Sequence, residues 1–353
     1  MRRLVRRRAV GDERAVGTPL VLLASVLTVL VPAALEAQSH PHVHHLGPKP
    51  STVVFGYYSA ALKPVLRMAS GDTLVVRTLH TASPRLLERA GLPSDEVEPS
   101  LRDIWSQVTD RGPGGHVLTG PVYVEGAEPG DVLEVKILQI DLPIDYGLQS
   151  CGGFERELCA GVGPRIFRLD RTKMTSDFGW GVTIPLRPFF GSIGVAPPPD
   201  SGRLSSNPPG THGGNMDNRE LVEGTTLYLP VHAPGALLEI GDGHAAQGDG
   251  EVAQTAIETS LVGHLQLTVR KDMHLDWPRA ETPTDWIVMG MDPDLTKATH
   301  ICVEQAARFL EEKGIPEGEA YRLVSLGVSL RITELVDGNV AVHAMIPKSL
   351  FSG

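Results

Sequence analysis

PVYVEGAEPGDVLEVKILQIDL, residues 121–142, decides the fold class. Its second half alternates Glu134 and Lys136 with Val135 and Ile137, the alternation of a half-buried strand. Glu128-Pro129-Gly130-Asp131 ahead of it is turn chemistry, so the stretch predicts two strands around a turn. The pattern of a Gly-Asp turn followed by an alternating apolar strand occurs again at 71–79, and Gly224 precedes TTLYLPVH in a third version. Repetition of this kind suggests a barrel or sandwich. TVVFGYYS (52–59) is rich in branched and aromatic residues, and 251–272 reads as one long strand or two. Asp337-Gly338 marks a turn between the last β segments. Helical spacing is confined to a short piece at 84–90 within an otherwise loop-like 81–115, a clear helix at 295–314 ended by Gly314 and Pro316, and a second at 317–327. No βαβ alternation, phosphate loop or dinucleotide fingerprint occurs. The expected fold is mainly β, barrel- or sandwich-like, with a smaller α+β element near the C-terminus.

The 353 residues, 41% hydrophobic, suffice for a packed core. MRRLVRRR is a basic head, residues 18–34 are an uncharged apolar run, and Ala37 is a small residue placed for cleavage before Gln38. Residues 1–37 therefore read as a secretory signal peptide and the protein as exported, periplasmic or extracellular. An uncleaved anchor is disfavoured by a run of only 17 residues interrupted by Pro32. Residues 38–50, with four histidines between 40 and 45, read as a mobile, solvated terminus before a domain at 51–353. The leader's six arginines and three acids give it +3, so the rest of the −10 chain carries −13. A body this acidic argues against nucleic acid and, once the leader is cleaved, against membranes as partners, and it is compatible with cations. Cys151 and Cys159 either close a small disulfide loop or remain free thiols; Cys302 lies in an apolar helical pattern as a buried small hydrophobe.

Three glycine-punctuated polar segments stand beside predicted strands: 111–131, 208–221 and 241–251, the last reading GDGHAAQGDGE. Loops held by a rigid sheet are the usual home of chemistry. Imidazoles, carboxylates and amides from the three segments would suit a Zn²⁺-type site with an open position, and Asp242, Asp249 and backbone carbonyls a Ca²⁺ site.

The stretch 227–260, with HGGNMDNREL (212–221) upstream, resembles the acetamidase/formamidase family. VEGAEPGDVLEVKI (124–137), PRAETPTDWIVMGMD (278–292) and VHAMIPKSLF (342–351) are similar to segments of that family as well. The resemblance covers most of 51–353 and implies a metal-associated hydrolase that cleaves formamide- or acetamide-like amides to ammonia and acid, with a mostly β fold and a homodimer or larger homo-oligomer. The leader and CGGFERELC (151–159) depart from the family pattern and leave the natural substrate open.

No Gly-x-Ser-x-Gly elbow is present and Cys302 is placed in a helix core, so metal-activated water is the expected nucleophile. The candidate ligands are His244, Asp217 and His116, with Asp242 as a further one; each has a turn or cap role as its alternative. Glu251 is the expected general base, with Glu239 and then Asp249 as rivals. Asn215 and Gln247 are expected to orient the amide, and Gly214 to let backbone approach it. His232 and Glu258 are assigned to the core or to supporting contacts. The alternative function is an exported, non-enzymatic protein that binds a metal or small ligand.

Overall fold

In the computed structural model, which describes residues 41–351 and positions 11, 14, 15 and 17 before them, two large β-sheets enclose the main core. The expected signal peptide falls, but for those four positions, outside the described residues. The two strands of the opening stretch form as Val117–Val124 and Val132–Asp141, and they join different sheets. The Glu-Pro-Gly-Asp turn is thus a crossover between sheets, tied by Glu128 N–H donating to Asp131 Oδ2 at 2.9 Å.

The first sheet has nine strands in the order Val43–Leu46, Thr73–Arg77, Val262–Arg270, Val132–Asp141, Thr226–Pro230, Arg279–Glu281, Asp285–Asp292, Asn339–Pro347 and Ser329–Asp337. All three strands of the Gly-Asp pattern belong to it, which is why the pattern recurs. The second sheet has Leu238–His244 near its middle, flanked by Phe189–Gly194, Glu258–Thr259 and Val117–Val124. Leu74, Val135, Ile137 and Leu265 from the first sheet pack with Phe190, Ile193, Leu238 and Ile240 from the second. Each such buried side chain contributes ~1.5–3 kcal/mol before the cost of chain ordering.

Four α-helices occur among the described residues: α1 Pro84–Arg89, α2 Pro99–Gln107, α3 Leu295–Glu312 and α4 Glu317–Gly327. α1 is capped by Ser83, whose Oγ accepts from Leu86 N–H at 3.1 Å. α2 lies where the sequence suggested loop; Leu101, Ile104, Trp105 and Val108 carried the spacing that makes it a helix. α3 packs on Asp285–Asp292 and Asn339–Pro347, and Cys302 is fully buried there. The 251–272 stretch resolves into a loop, a two-residue strand Glu258–Thr259 and the strand Val262–Arg270. Residues 43–46, expected to be a mobile terminus, pair in parallel with 73–76, and His44 Nε2 lies 2.8 Å from Asp72 Oδ2.

Two core histidines make stability pH-dependent. Burial pushes His212 and His343 down to about 3 from an ordinary 6.5. Both are depressed, so their contribution is complete above pH 6.5 and drains away as pH falls toward 3, when only the unfolded chain takes up protons. The pair sets a slope of up to ~3 kcal/mol per pH unit in that window. Because the raised buried carboxyls act with the opposite sign in the same window, the histidine share is read by difference: the urea midpoint of His343→Asn is expected to fall less on acidification than that of the parent, and an identical pH dependence contradicts this.

Candidate functional site

His244 ends a central strand, and its ring is the hub of the site. Its Nδ1 lies 2.8 Å from Gln247 Oε1, and Gln247 Nε2 donates to the carbonyl of Asp217 at 2.8 Å. With Nδ1–H directed at Gln247, Nε2 is left facing carboxylates: Glu258 Oε1 at 3.2 Å, Asp242 Oδ2 at 3.3 Å and Glu251 Oε1 at 4.0 Å. Asp217 Oδ1 stands 3.8 Å from Nδ1 and has no hydrogen-bond partner. Phe189 packs edge-on against the imidazole, with ring centroids 5.0 Å apart.

Each carboxylate has its own support. Thr81 Oγ1 donates to Asp242 Oδ1 at 2.9 Å, and His116 Nε2 lies 3.7 Å from Asp242 Oδ2. His116 is held in turn by Ser206, 2.9 Å from Nδ1, which puts the Pro/Gly-rich 196–215 loop to use. Asn215 Nδ2 donates to Asp217 Oδ2 at 2.8 Å. The loop carrying Glu251 is clamped by the C-terminal hairpin, Gly250 N–H donating to the Thr333 carbonyl at 3.0 Å. It is also clamped by the 151–159 loop, where Cys151 and Cys159 form a disulfide and Phe154 N–H donates to the Val252 carbonyl at 2.8 Å. Replacing both cysteines by serine is expected to cost ~2.5 kcal/mol of stability for a loop of this length. A thermal-melt comparison checks it, and an unchanged midpoint refutes it.

Asp217, Asp242 and Glu251 all have positive φ, at 46°, 55° and 39°. Such backbone is costly for residues with a Cβ and gathers at functional sites. Gly191, on the strand facing Asp242, completes the cradle. A Cβ there would sit inside contact distance of Asp217 Oδ1, 2.6 Å from Asp242 Oδ2 and 2.9 Å from His244 Cε1.

The electrostatics are those of crowded acids around one base. Burial, then Glu251, raises the Asp217 carboxyl well above its usual range. Burial likewise raises Glu251 well above it and takes Glu258 up to about 7. Burial opposes charge on His244, but Glu258 and Asp242 outweigh it and hold the ring protonated far above 6.5. Asp242 is pulled the other way: burial is overcome by His116, His244 and the Thr81 hydroxyl, which keep it ionised. His80 supports the wall as a neutral ring, with burial lowering it to about 4 and Ala82 N–H donating to its Nδ1 at 2.9 Å. Like charges buried together are costly unless something neutralises them.

Two triads, Asp217–His244–Glu251 and Asp242–His244–Glu258, bring their donor atoms within 4.8 Å of one another. The donor set, the partnerless Asp217 Oδ1 and the cradle that one methyl group would fill all suit a cation.

His244, Asp217, His116, Asp242, Glu251 and Asn215, drawn from three separated segments, therefore meet in one place. Other expectations need correction. Asp242 and His244 lie within a strand, not in a loop. Asp249 is exposed, two residues from Glu251, and does not face the cluster. Glu239 is fully buried with neither carboxylate oxygen paired, and burial alone keeps it protonated, away from the cavity. Gln247 spends its amide behind His244, leaving no role in gripping substrate. Gly214 accommodates the His212 ring, which a Cβ would approach to 2.6 Å. Asp217 caps nothing; it is Asn218 Oδ1 that accepts from Glu220 N–H, at 3.0 Å.

Thr81 and Asp337 were not anticipated as site residues, and Glu258 was assigned only to the core or to supporting contacts. Glu258 and Asp337 line the same cavity as Glu251, Asp242 and His116. An acid flanked by Ile257 and the apolar residues from Leu261 onward was the available signal for Glu258, whereas Asp337 was hidden by doubling as a hairpin turn residue.

Comparison with known proteins agrees with this picture. The profile of the acetamidase/formamidase family matches residues 107–204 and 203–353. The acetamidase of Yersinia enterocolitica has a similar structure, with TM-score 0.75 and 29% identity, covering 90% of this chain and 96% of that one. The acetamidase of Bacillus halodurans gives TM-score 0.73 and 27% identity over 87% and 98% of the two chains. The formamidase of Methylophilus methylotrophus is 29% identical over 209 residues, 44% of this chain and 51% of its own. The chain spans about half the length of the curated relatives it matches. The family profile, which matches well over half of the chain, and the shared architecture lead to one conclusion: the chain belongs to the acetamidase/formamidase family.

Proposed function

We propose that the protein hydrolyses the C–N bond of a linear amide of the formamide/acetamide kind, giving ammonia and a carboxylic acid. The observation that carries this is the meeting of two acid–His244–acid triads at the edge of a cavity. Asp217, Asp242 and His244, with His116 and Glu258 at hand, would hold a divalent cation, whose charge would take the place of the proton on His244. A nitrogen donor among carboxylates favours Zn²⁺ over Ca²⁺, which prefers oxygen alone. When bound, such a cation polarises the amide carbonyl and acidifies the attacking water.

Glu251 lines the cavity, whereas Asp217 and His244 lie behind its surface. It is therefore placed to take the proton from water as the C–O bond forms, then to return it to nitrogen as the C–N bond breaks. Glu258, raised to about 7, is the rival for that proton. Asn215 has one amide N–H left after its bond to Asp217, enough to donate one hydrogen bond to the substrate oxygen.

Ammonia release from formamide and acetamide, measured before and after dialysis against a chelator, tests the reading. Turnover that chelation removes and Zn²⁺ restores is expected. Glu251→Gln is expected to lower kcat by ~10²–10⁴-fold. A protein that retains cation yet releases no ammonia from any amide is the non-enzymatic binder.

A further inference from the structure

The cavity beside the triads is too large for the amides just named. Half open to solvent, it offers about 340 Å³. That lies in the ~300–1,000 Å³ range of sites for drug-sized ligands, whereas acetamide needs the room of roughly three waters at ~30 Å³ each. Its two ends differ in chemistry. One end is the acidic pole with Asp242, Glu251, Glu258 and His116. The other is walled by Ala82, Leu86 from α1, Trp105 from α2 and Leu148 from the strand Tyr146–Gln149.

That wall is rigid. Its four side chains belong to one apolar cluster with Phe55, Leu87, Leu101 and Ile104. Trp105 packs edge-on against Phe55, with ring centroids 5.1 Å apart, and Arg111 covers its ring at 4.7 Å. The Trp105 Nε1–H is buried and has no partner.

We propose that the substrate is a primary amide with a bulky apolar acyl group, aryl-alkyl or branched alkyl, selected by Leu86, Trp105 and Leu148. This rests on the amide-hydrolase reading above and names its substrate class. The amide carbon meets the acidic pole while the acyl chain lies along the wall, where burial rewards each added carbon.

The test compares kcat/KM of the purified, cation-loaded protein for formamide, acetamide, isobutyramide and phenylacetamide. Phenylacetamide is expected to exceed acetamide by at least ~10-fold, since one well-placed methylene is worth ~10-fold or more. Trp105→Ala is expected to reduce the phenylacetamide-to-acetamide ratio ~10-fold or more. Because Trp105 also packs on Phe55, Leu86→Ala on the half-buried face of α1 serves as an independent second variant, with the same direction expected. If acetamide or formamide is best and phenylacetamide stays at background, the substrate class is wrong and the amidase reading stands. If neither variant moves the ratio, the wall does not select. If no amide turns over, both fall together.

Discussion

Alanine at position 244 is expected to abolish amide hydrolysis to the limit of detection and to lower the melting temperature markedly. His244 alone contributes a donor to both triads, so no cation position survives its loss intact. The second effect is electrostatic. Asp242, Glu251 and Glu258 all face Nε2 at 3.2–4.0 Å, and truncation leaves them buried against one another without a base. Removing one partner from a buried charge cluster costs ~3–5 kcal/mol. Activity assays and thermal melts on the purified variant check both parts. A variant with full turnover, or one that melts at the parent temperature, shows that the ring is neither hub nor counter-charge.

Gly191→Ala adds a single methyl group and is expected to be nearly as damaging to function. The added carbon falls against Asp217 Oδ1, Asp242 Oδ2 and the His244 ring at once. None of the three can retreat easily, since Asp217 is tied by Asn215, Asp242 by Thr81 and His244 by Gln247. A displacement near 1 Å in a catalytic arrangement costs ~10²-fold or more in rate. The expected result is that loss in kcat/KM together with weakened cation uptake by elemental analysis. Gly191 is not at positive φ, so an alanine there meets no backbone penalty, and any loss reports the occupied cradle rather than a misfolded turn. Unchanged turnover and cation content refute the cradle.

Much of this molecule was legible before its coordinates. Turn chemistry and alternation located the strands at 73–77, 132–141 and 226–230, and helix-stop residues bounded α3 and α4. What alternation does not encode is destination. The turn at 128–131 looks like a hairpin in sequence and is a passage between sheets, because local spacing carries no information about which neighbour a strand will find. The site divides along the same line. His244, Asp217 and Glu251 sat in glycine-rich polar segments unlike ordinary core, and so drew notice. Glu258 starts a two-residue strand, Thr81 follows a short strand, and Asp337 sits in a hairpin turn. Each has a plain local role, and only the folded geometry shows the second one. Asp249 misled for the opposite reason: it shares the composition of the motif but points outward, beyond the end of the strand that carries Asp242 and His244.

Asp217 and Asp242 hold their carboxylates out from left-handed backbone, and that ties chemistry to shape at both positions. Asparagine and aspartate tolerate this conformation better than longer residues do. An exchange to asparagine at 217 or 242 therefore alters charge while preserving the path of the chain; an exchange to glutamate preserves charge but moves the carboxylate one carbon further out, from backbone that Glu251 shows a glutamate can adopt. At these two positions the course of the chain and the reach of the carboxylate are set together, so a lineage that drifts there must satisfy a backbone demand as well as a charge.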